Sequence, residues 1–216
     1  MFTRHAAKQI NTINKYQTTK MNLVIIDYNA GNTQSVIFAL NRMGIEPILT
    51  DDFEQIQKAD KVIFPGVGEA STTMAFLKEK KLDQLIPQLK QPVFGICLGM
   101  QLMCAYSEEN DTTCMGIFEQ KVKLFQPASK EKVPHMGWNN IQKLGKGIFD
   151  ESLENERVYF VHSYYAELSD YTIATTDYCG KFSAALHRDN FYATQFHPEK
   201  SGKIGAKILE NFIKKV

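Results

Sequence analysis

Residues 93–101 read Val-Phe-Gly-Ile-Cys-Leu-Gly-Met-Gln, and this stretch decides the fold class of the chain. The run Val93–Ile96 is short and continuously apolar, which is typical of a buried strand. A helical pattern, which we place around Met100–Tyr106, follows it directly. Glycines stand two residues to either side of Cys97, where a tight strand-to-helix turn brings neighbouring backbone too close for a Cβ atom. The stretch therefore predicts a strand, a sharp turn and a helix.

The same alternation of apolar runs and helical patterns extends towards the N-terminus. Strands are predicted at 23–26, 46–50 and 61–64, with a helical pattern around 36–43 and a long polar helical stretch ending before Pro92. A crossover between parallel strands must pass over the sheet, so repeated strand-helix units place helices on both faces. The sequence therefore predicts a doubly wound α/β fold with a mostly parallel open sheet.

The second half of the chain has a different pattern. From about Thr113 to Asp177 it alternates short strands with turn signals, and we predict strands at 121–125, 158–161 and 171–174. These read as antiparallel additions to the sheet. The chain closes with a strand at 191–196 and a helix whose apolar face carries Ile204, Ile208, Leu209 and Phe212.

Composition limits the class of protein. The chain has 216 residues, 44% of them apolar and 23% charged, which is ordinary usage for one globular domain and argues against a disordered or fibrous protein. A net charge of +1 provides no field for nucleic acid or a membrane surface. Residues 1–20 contain basic residues, no acidic residue and no apolar stripe, so we treat them as an N-terminal extension and 21–216 as the domain.

Cysteine usage and hydropathy point to a reducing compartment. The cysteines, at positions 97, 104, 114 and 179, form neither a C-x-x-C pair nor the spacing of a disulfide-rich secreted domain. No apolar run approaches the roughly 18–20 residues that span a bilayer, and no segment resembles a secretory signal. We therefore expect a cytoplasmic protein.

The candidate nucleophile is Cys97. The start of a helix favours a thiolate through its unpaired N–H groups and its dipole, although a lone cysteine here is equally consistent with a buried structural residue. The run Gln195-Phe-His197-Pro-Glu199 changes that balance, because a nucleophilic cysteine needs a base and the base needs a group to orient it. We therefore predict a triad of Cys97, His197 and Glu199.

A third motif, Pro65-Gly-Val-Gly68, follows a predicted parallel strand and so lies at the same edge of the sheet as Cys97. By itself this motif is weak and is more consistent with an ordinary turn than with an oxyanion site. Its glycines would let backbone N–H groups point at an oxyanion, and we predict Val67 and Leu98 as the two donors.

In this order and spacing, G-I-C-L-G-M-Q at 95–101, P-G-V-G at 65–68 and H-P-E at 197–199 resemble the triad-type (class I) glutamine amidotransferases, from about Met21 to the C-terminus. The resemblance implies a glutamyl thioester on Cys97 and contact between Gln101 and the substrate. No metal or organic cofactor is expected. We place further residues beside the substrate: Gly66, Gly68, His162, Ser163 and Tyr164. His162 is either a structural histidine there or a second base.

Three other segments resemble the amidotransferase subunits of imidazole glycerol phosphate synthases: 27–32, 134–139 and 159–164. That resemblance implies a heterodimer with a (β/α)8-barrel cyclase, which would use the ammonia to make imidazole glycerol phosphate and an aminoimidazole carboxamide ribotide in histidine biosynthesis. It also implies that the partner's ligand switches the glutaminase on, and we expect the switch at the Gly66–Val67 peptide. Candidate interface residues are Met136, Trp138, Asn139 and Tyr159.

Several alternatives remain open from the sequence. Trp138 is either a core residue or an interface anchor. The sequence also leaves three alternatives to the function that the resemblance implies: an amidotransferase of another pathway, a Cys-His-Glu hydrolase on the same fold, or a catalytically silent binding subunit that has kept the fold. The segment 134–139 argues against another pathway, Gln101 favours glutamine as substrate, and an intact triad argues against a silent subunit.

Overall fold

The structure, a computed structural model, describes residues 21–28, 33–128 and 130–216. The predicted extension at 1–20 and most of the segment at 27–32 lie outside these ranges. The described α-helices are α1 Thr33–Arg42, α2 Phe53–Gln57, α3 Ala70–Glu79, α4 Leu82–Leu85, α5 Leu98–Met103 and α6 Gly202–Lys215, and short 3-10 helices lie at Ile86–Gln88, Glu151–Leu153 and Pro198–Lys200. The strands of the first half are β1 Leu23–Ile26, β2 Ile48–Thr50, β3 Lys61–Phe64, β4 Val93–Ile96, β5 Tyr106–Ser107 and β6 Thr112–Thr113. The later strands are β7 Lys121–Leu124, β8 His135–Asn140, β9 Arg157–His162, β10 Tyr164–Ala166, β11 Thr172–Asp177, β12 Lys181–Arg188 and β13 Phe191–Thr194.

Seven of the described strands form the main sheet, in the order β11-β12-β13-β4-β3-β1-β2. The strands β2, β1, β3, β4 and β13 run parallel, while β12 and β11 are antiparallel additions at one side. Every residue of β1, β3, β4 and β13 is buried, as expected for parallel strands that are covered on both faces. The predicted mostly parallel α/β sheet is confirmed.

Two core layers cover the two faces of this sheet. Because side chains alternate along a strand, Val24 and Ile26 of β1 pack in one layer with α3 and α5. Leu23 and Ile25 pack in the opposite layer with α1 and α6. The sheet is therefore doubly wound. Its central strand β4 leads into the strand-to-helix turn at Cys97, called the elbow below, which lies between the two layers.

Two helix predictions were wrong in their boundaries. The helix after β4 is Leu98–Met103 rather than Met100–Tyr106, because it begins directly at the turn, where Gln101 N–H already donates to the Cys97 carbonyl at 3.2 Å. It ends where Cys104 turns extended with ψ of 176°, and Tyr106 begins β5. The long polar helix before Pro92 is divided into α3 and α4 by Lys81, which adopts a left-handed φ of 57°.

The antiparallel strands were only partly placed by the sequence. Only β11 and β12 extend the main sheet. The strands β10, β7, β5 and β6 form a separate four-stranded sheet, and β8 pairs with β9 as a two-stranded ribbon. Neither β8 nor β12 was recognised as a strand. In β12 the residues 182–186 are buried without interruption, so the strand lacks the apolar-polar alternation that identifies half-buried strands.

Candidate active site

Cys97 lies in the turn between β4 and α5 with a strained backbone, φ 54° and ψ −110°. Its N–H donates to the Thr194 carbonyl at 2.8 Å, which ties the turn to the neighbouring strand β13. A Cβ atom on Gly95 would stand 2.8 Å from the Met103 sulfur, and one on Gly99 would stand 2.1 Å from the Phe64 carbonyl oxygen. Close packing therefore requires both flanking glycines, as the sequence predicted.

His197 and Glu199 follow β13 at the same edge of the sheet. His197 Nδ1 donates to Glu199 Oε1 at 2.7 Å, and both side chains are buried. The carboxylate accepts the Nδ1 proton and so leaves Nε2 as the nitrogen that can exchange a proton with a nucleophile. Among the described residues, this buried Nε2 makes no hydrogen bond of normal length.

The charge state of His197 is set by opposing effects. Burial disfavours the imidazolium, but the charge of a Cys97 thiolate and the contact with Glu199 outweigh burial and raise the pKa of His197 to about 10. The raised pKa makes the imidazolium the resting form at neutral pH.

Cys97 and His197 open into one cavity of about 350 Å³. The other predicted site residues on its wall are Val67, Gly68, Leu98, Gln101, His162, Ser163 and Tyr164. Gly66 and Glu199 are close behind this wall and do not line the cavity. Four lining residues were missed by the sequence interpretation, namely Glu109, Pro134, Val161 and Lys200. Lys200 directly follows the H-P-E motif, whereas Glu109 stands in a loop whose sequence carries no comparable signal.

The two predicted oxyanion donors do not point at a common position. Leu98 N–H donates to the Gly66 carbonyl at 3.3 Å. In a trans peptide the C=O and N–H point in opposite directions, so the Val67 N–H points away from Leu98. A Cβ on Gly66 would lie 2.4 Å from the Gly99 nitrogen, which explains why a glycine occupies this position. The P-G-V-G loop is therefore packed against the elbow, with the Leu98 N–H bonded to the Gly66 carbonyl and the Val67 N–H directed away from it.

Gln101 is buried in the wall of the cavity, and its hydrogen bonds to the protein are made by Nε2. This nitrogen donates to the Tyr164 carbonyl at 2.8 Å and to Gln195 Oε1 at 3.0 Å. Oε1 of Gln101 can therefore accept a hydrogen bond from a ligand in the cavity. Gln195 in turn approaches the Cys97 sulfur through its own Nε2 at 3.7 Å. The sequence patterns predict no role for Gln195.

His162 forms a buried pair with His135. His162 Nδ1 is 2.7 Å from the Tyr164 carbonyl, and Nε2 is 3.1 Å from His135 Nδ1. Burial lowers the pKa of His162 to about 3 and that of His135 to about 4, so both rings are neutral. Because both ring nitrogens of His162 are hydrogen-bonded within the protein, the geometry favours a structural histidine over a second base.

The candidate interface residues lie on the β8–β9 ribbon. Met136 and Trp138 are 64% and 47% exposed, so Trp138 is not a core residue. Trp138 pairs across the ribbon with Tyr159, and their ring centroids are 6.1 Å apart. Asn139 differs, because its Nδ2 donates to the Asp177 carbonyl and approaches His135 Nε2 at 3.4 Å. The ribbon thus presents Met136 and Trp138 outwards and directs Asn139 towards the buried histidine pair.

Within the described chain, no group of three or more His, Cys, Asp or Glu side chains is arranged to hold a metal ion. None of the described helices combines the length and the apolar character that crossing a membrane requires.

An elbow cysteine with a buried His-Glu pair on a doubly wound sheet defines a class of enzyme. Residues 24–216 match the model of the family described as "Glutamine amidotransferase class-I", and the chain belongs to this family. It is 59% identical over 194 residues to the "Imidazole glycerol phosphate synthase subunit HisH" of Bacteroides thetaiotaomicron, covering 89% of this chain and 99% of the relative. A relative with the same name from Idiomarina loihiensis is 42% identical over 193 residues, covering 89% and 97%.

Solved structures agree with the fold. A structure described as a glutamine amidotransferase aligns with a TM-score of 0.68 at 17% identity, over 88% of this chain and 97% of the other. PurLQS from Thermotoga maritima aligns with a TM-score of 0.63 at 17% identity, over 90% and 98%. At these identities the likeness establishes the fold alone.

The His197–Glu199 contact predicts the effect of a Glu199→Gln substitution. An amide retains the shape of the side chain and removes its charge, so the imidazolium is less stabilised and the pKa of His197 falls. We expect glutaminase kcat to drop by a factor on the order of 10²–10⁴, because the tautomer of the base is no longer enforced. The measurements are ¹⁵N NMR titration of the His197 ring and steady-state kinetics. Glu54→Gln, at an exposed carboxylate of α2, is the matched control. An unchanged His197 titration in Glu199→Gln would contradict this role.

Proposed function

We propose that this chain hydrolyses glutamine to glutamate and ammonia and passes the ammonia to a cyclase subunit with which it forms imidazole glycerol phosphate synthase. The observation that carries the proposal is the convergence of Cys97 and the buried His197–Glu199 pair on one cavity. The family of the chain supports glutamine as the substrate, and the named relatives support the synthase. The product then enters histidine biosynthesis.

The proposed reaction is acyl transfer through sulfur. The Cys97 thiolate adds to the side-chain amide carbon of glutamine, and the carbonyl electrons move onto oxygen. His197 gives its proton to the amide nitrogen, the C–N bond breaks, and ammonia leaves a glutamyl thioester. Neutral His197 then takes a proton from water, whose oxygen attacks the thioester. The C–S bond breaks, the electron pair returns to sulfur and glutamate is released.

The cavity wall supplies the contacts for the substrate. Gln101 Oε1 and the residues Ser163 and Tyr164 provide polar groups, and Gly68 in the wall and Gly66 behind it allow backbone to approach the reacting amide. Glu109 adds a carboxylate, which complements the α-ammonium group of an amino acid. Glu109 also accepts a hydrogen bond from Ala70 N–H at 2.7 Å, so the substrate pocket is linked to the end of the P-G-V-G loop.

The arrangement of that loop supports a resting enzyme. Leu98 N–H is engaged by the Gly66 carbonyl, so an oxyanion at Cys97 would find neither proposed donor. Rotation of the Gly66–Val67 peptide would release Leu98 N–H and bring the Val67 N–H towards the reacting carbon. We assign this rotation to the effect of the cyclase and its ligand. Such control prevents the release of ammonia, which protonates in bulk water, before the acceptor is bound.

The outward side of the β8–β9 ribbon is the proposed docking site for the cyclase. Met136 and Trp138 provide exposed apolar surface, and a tryptophan of this kind is a common interface anchor. Tyr159 supports the Trp138 ring from the neighbouring strand. Asn139 lies behind this surface and contacts His135, so a shift of the ribbon on docking would be transmitted through Asn139 to the buried histidines. The partner is a (β/α)8 barrel.

We also propose that the protein works in the cytoplasm. The structure describes all four cysteines, and each is a free thiol. Free thiols, one of them a proposed nucleophile, fit a reducing compartment.

The experiment that tests the function is a Cys97→Ala substitution in a mixture with the cyclase. We expect glutamine-dependent turnover to vanish, because no other described sulfur lines the cavity, while turnover with added ammonium salt persists at the cyclase. Cys114→Ala, at a half-buried thiol away from the cavity, is the control and should keep both activities. Survival of glutamine-dependent turnover in Cys97→Ala would refute the mechanism.

The loop geometry predicts strong dependence on the partner. Missing one oxyanion donor costs on the order of 10²–10³ in kcat, so the isolated chain should be nearly silent. Addition of the cyclase with its ribulosyl substrate should restore hydrolysis by at least that factor. The measurement is glutamate release with and without the partner and its substrate. Full-speed hydrolysis by the isolated chain would exclude the peptide rotation as a switch.

The proposed docking site predicts the effect of Trp138→Ala. Loss of an anchor at the centre of an interface costs roughly 2 kcal/mol or more, so the Kd for the cyclase should rise at least tenfold. Since Trp138 is 47% exposed, the thermal stability of the isolated chain should change little. Phe38→Ala, at a 55% exposed aromatic residue of α1, is the matched control. Calorimetric titration with the cyclase measures the Kd of both variants. If Trp138→Ala binds the cyclase as tightly as the wild-type chain does, Trp138 is not part of the interface.

A further inference from the structure

Gln195 places a buried amide against the sulfur of Cys97. The residue follows β13 directly and is 0% exposed. Its Nε2 lies 3.7 Å from Cys97 Sγ, within hydrogen-bond range for sulfur, and its Oε1 accepts from Gln101 Nε2 at 3.0 Å. Gln195 does not line the cavity, so it reaches the nucleophile from behind and does not contact a bound substrate.

The direction of this amide follows from its neighbours. The Tyr164 carbonyl can only accept a hydrogen bond, so the Gln101 group facing it at 2.8 Å must be the NH₂. The second hydrogen of that NH₂ points at Gln195, which must therefore present its oxygen there. The NH₂ of Gln195 is left facing the sulfur. The opposite orientation would set two NH₂ groups against each other, so Gln195 is a donor to Cys97.

The directions of the hydrogen bonds at the two buried histidines are fixed in the same way. The Tyr164 carbonyl also faces His162 Nδ1 at 2.7 Å, so Nδ1 carries the proton and Nε2 accepts from His135 Nδ1 at 3.1 Å. His135 Nε2 is then the acceptor that faces Asn139 Nδ2. With neutral His162 and His135 rings, every hydrogen bond in this series has one donor and one acceptor. The Tyr164 carbonyl that orients Gln101, and through it Gln195, thus also accepts from a hydrogen-bond chain that begins at the β8–β9 ribbon.

We propose that Gln195 is a further catalytic residue, whose amide N–H donates to the Cys97 sulfur and stabilises the thiolate before attack and again when the thioester is cleaved. This inference rests on the proposed role of Cys97 as nucleophile. Hydrogen bonds to a charged acceptor are stronger than those to a neutral one, so the donor favours the thiolate over the thiol. When water expels the sulfur from the thioester, the electron pair that returns to sulfur meets the same N–H.

The test is a Gln195→Met substitution in the full chain, which fills the space and removes the donor. Iodoacetamide alkylation of Cys97, followed by mass spectrometry across a range of pH, measures the reactive thiolate without glutamine or a partner. We expect the rate at pH 7 to fall about tenfold and the whole profile to move to higher pH, since the charged form has lost a hydrogen bond. In the complex with the cyclase, kcat should fall about tenfold with KM changed less than about twofold.

Two further variants make the result decisive. Gln91→Met is the matched control, because Gln91 is a partly buried glutamine whose Nε2 donates to a backbone carbonyl, that of Ile56, away from the cavity. It should keep the wild-type alkylation profile. Gln195→Glu retains an oxygen for Gln101 and places a like charge beside the thiolate, so its profile should move further than that of Gln195→Met. This variant also serves if Gln195→Met fails to fold.

The outcomes separate the two levels of inference. A wild-type alkylation profile in folded Gln195→Met or Gln195→Glu would overturn the role of Gln195 and leave the proposed function intact. A structural role alone would lower the thermal stability without moving the pH profile, and that result also overturns it. If native Cys97 fails to react while another cysteine does, the proposed nucleophile itself is wrong.

Discussion

The close approach of the elbow to the end of β3 is the constraint on which the site depends. Gly99 stands where a Cβ would lie 2.1 Å from the Phe64 carbonyl, and Gly66 stands where one would lie 2.4 Å from the Gly99 nitrogen. Two backbones therefore touch without side chains between them. This contact locks the P-G-V-G loop beside the nucleophile, and it brings the Gly66 carbonyl within reach of Leu98 N–H. Both the position of the cysteine and the state of the oxyanion donors follow from one packing requirement.

Charge is confined to a small part of the buried site. His197 contacts both the Cys97 side chain and the Glu199 carboxylate, and these contacts outweigh burial and raise the pKa of His197. The surrounding polar groups are neutral, namely two glutamine amides and two histidines whose pKa values are lowered by burial. Neutral groups can be satisfied by directed hydrogen bonds at modest cost, whereas further buried charges would need partners of their own. Because its members are neutral, the polar network can extend from the β8–β9 ribbon to the Cys97 sulfur without disturbing the His197–Glu199 ion pair.

The accuracy of the sequence interpretation varies with how local each signal is. The bounds of β1, β3 and β4 were predicted without error because buried parallel strands are continuous apolar runs. The start of α5 was placed too late, since strained elbow geometry starts the helix within one residue of Cys97. The strands β8 and β12 were missed, because the first contains Gly137 with exposed apolar residues and the second is buried without alternation. Glu109 lies in the site through tertiary contacts, and the residues around it in sequence give no sign of this. Gln195 belongs to the run that contains His197 and Glu199, but its contact with the Cys97 sulfur is made across the fold.

By itself, the sequence determined the class of fold, the elbow, and the three motifs that meet at the carboxyl edge of the sheet. Strand period, glycine spacing and a His-x-Glu pair are local properties, and the rule that parallel strands end at one edge brings them together. Only the tertiary structure decided that Trp138 is exposed, that His162 is fully bonded and that the Leu98 donor is engaged by Gly66. These features depend on which groups meet across the fold. The orientation of a peptide or of an amide is set by partners distant in sequence, and no local pattern specifies it.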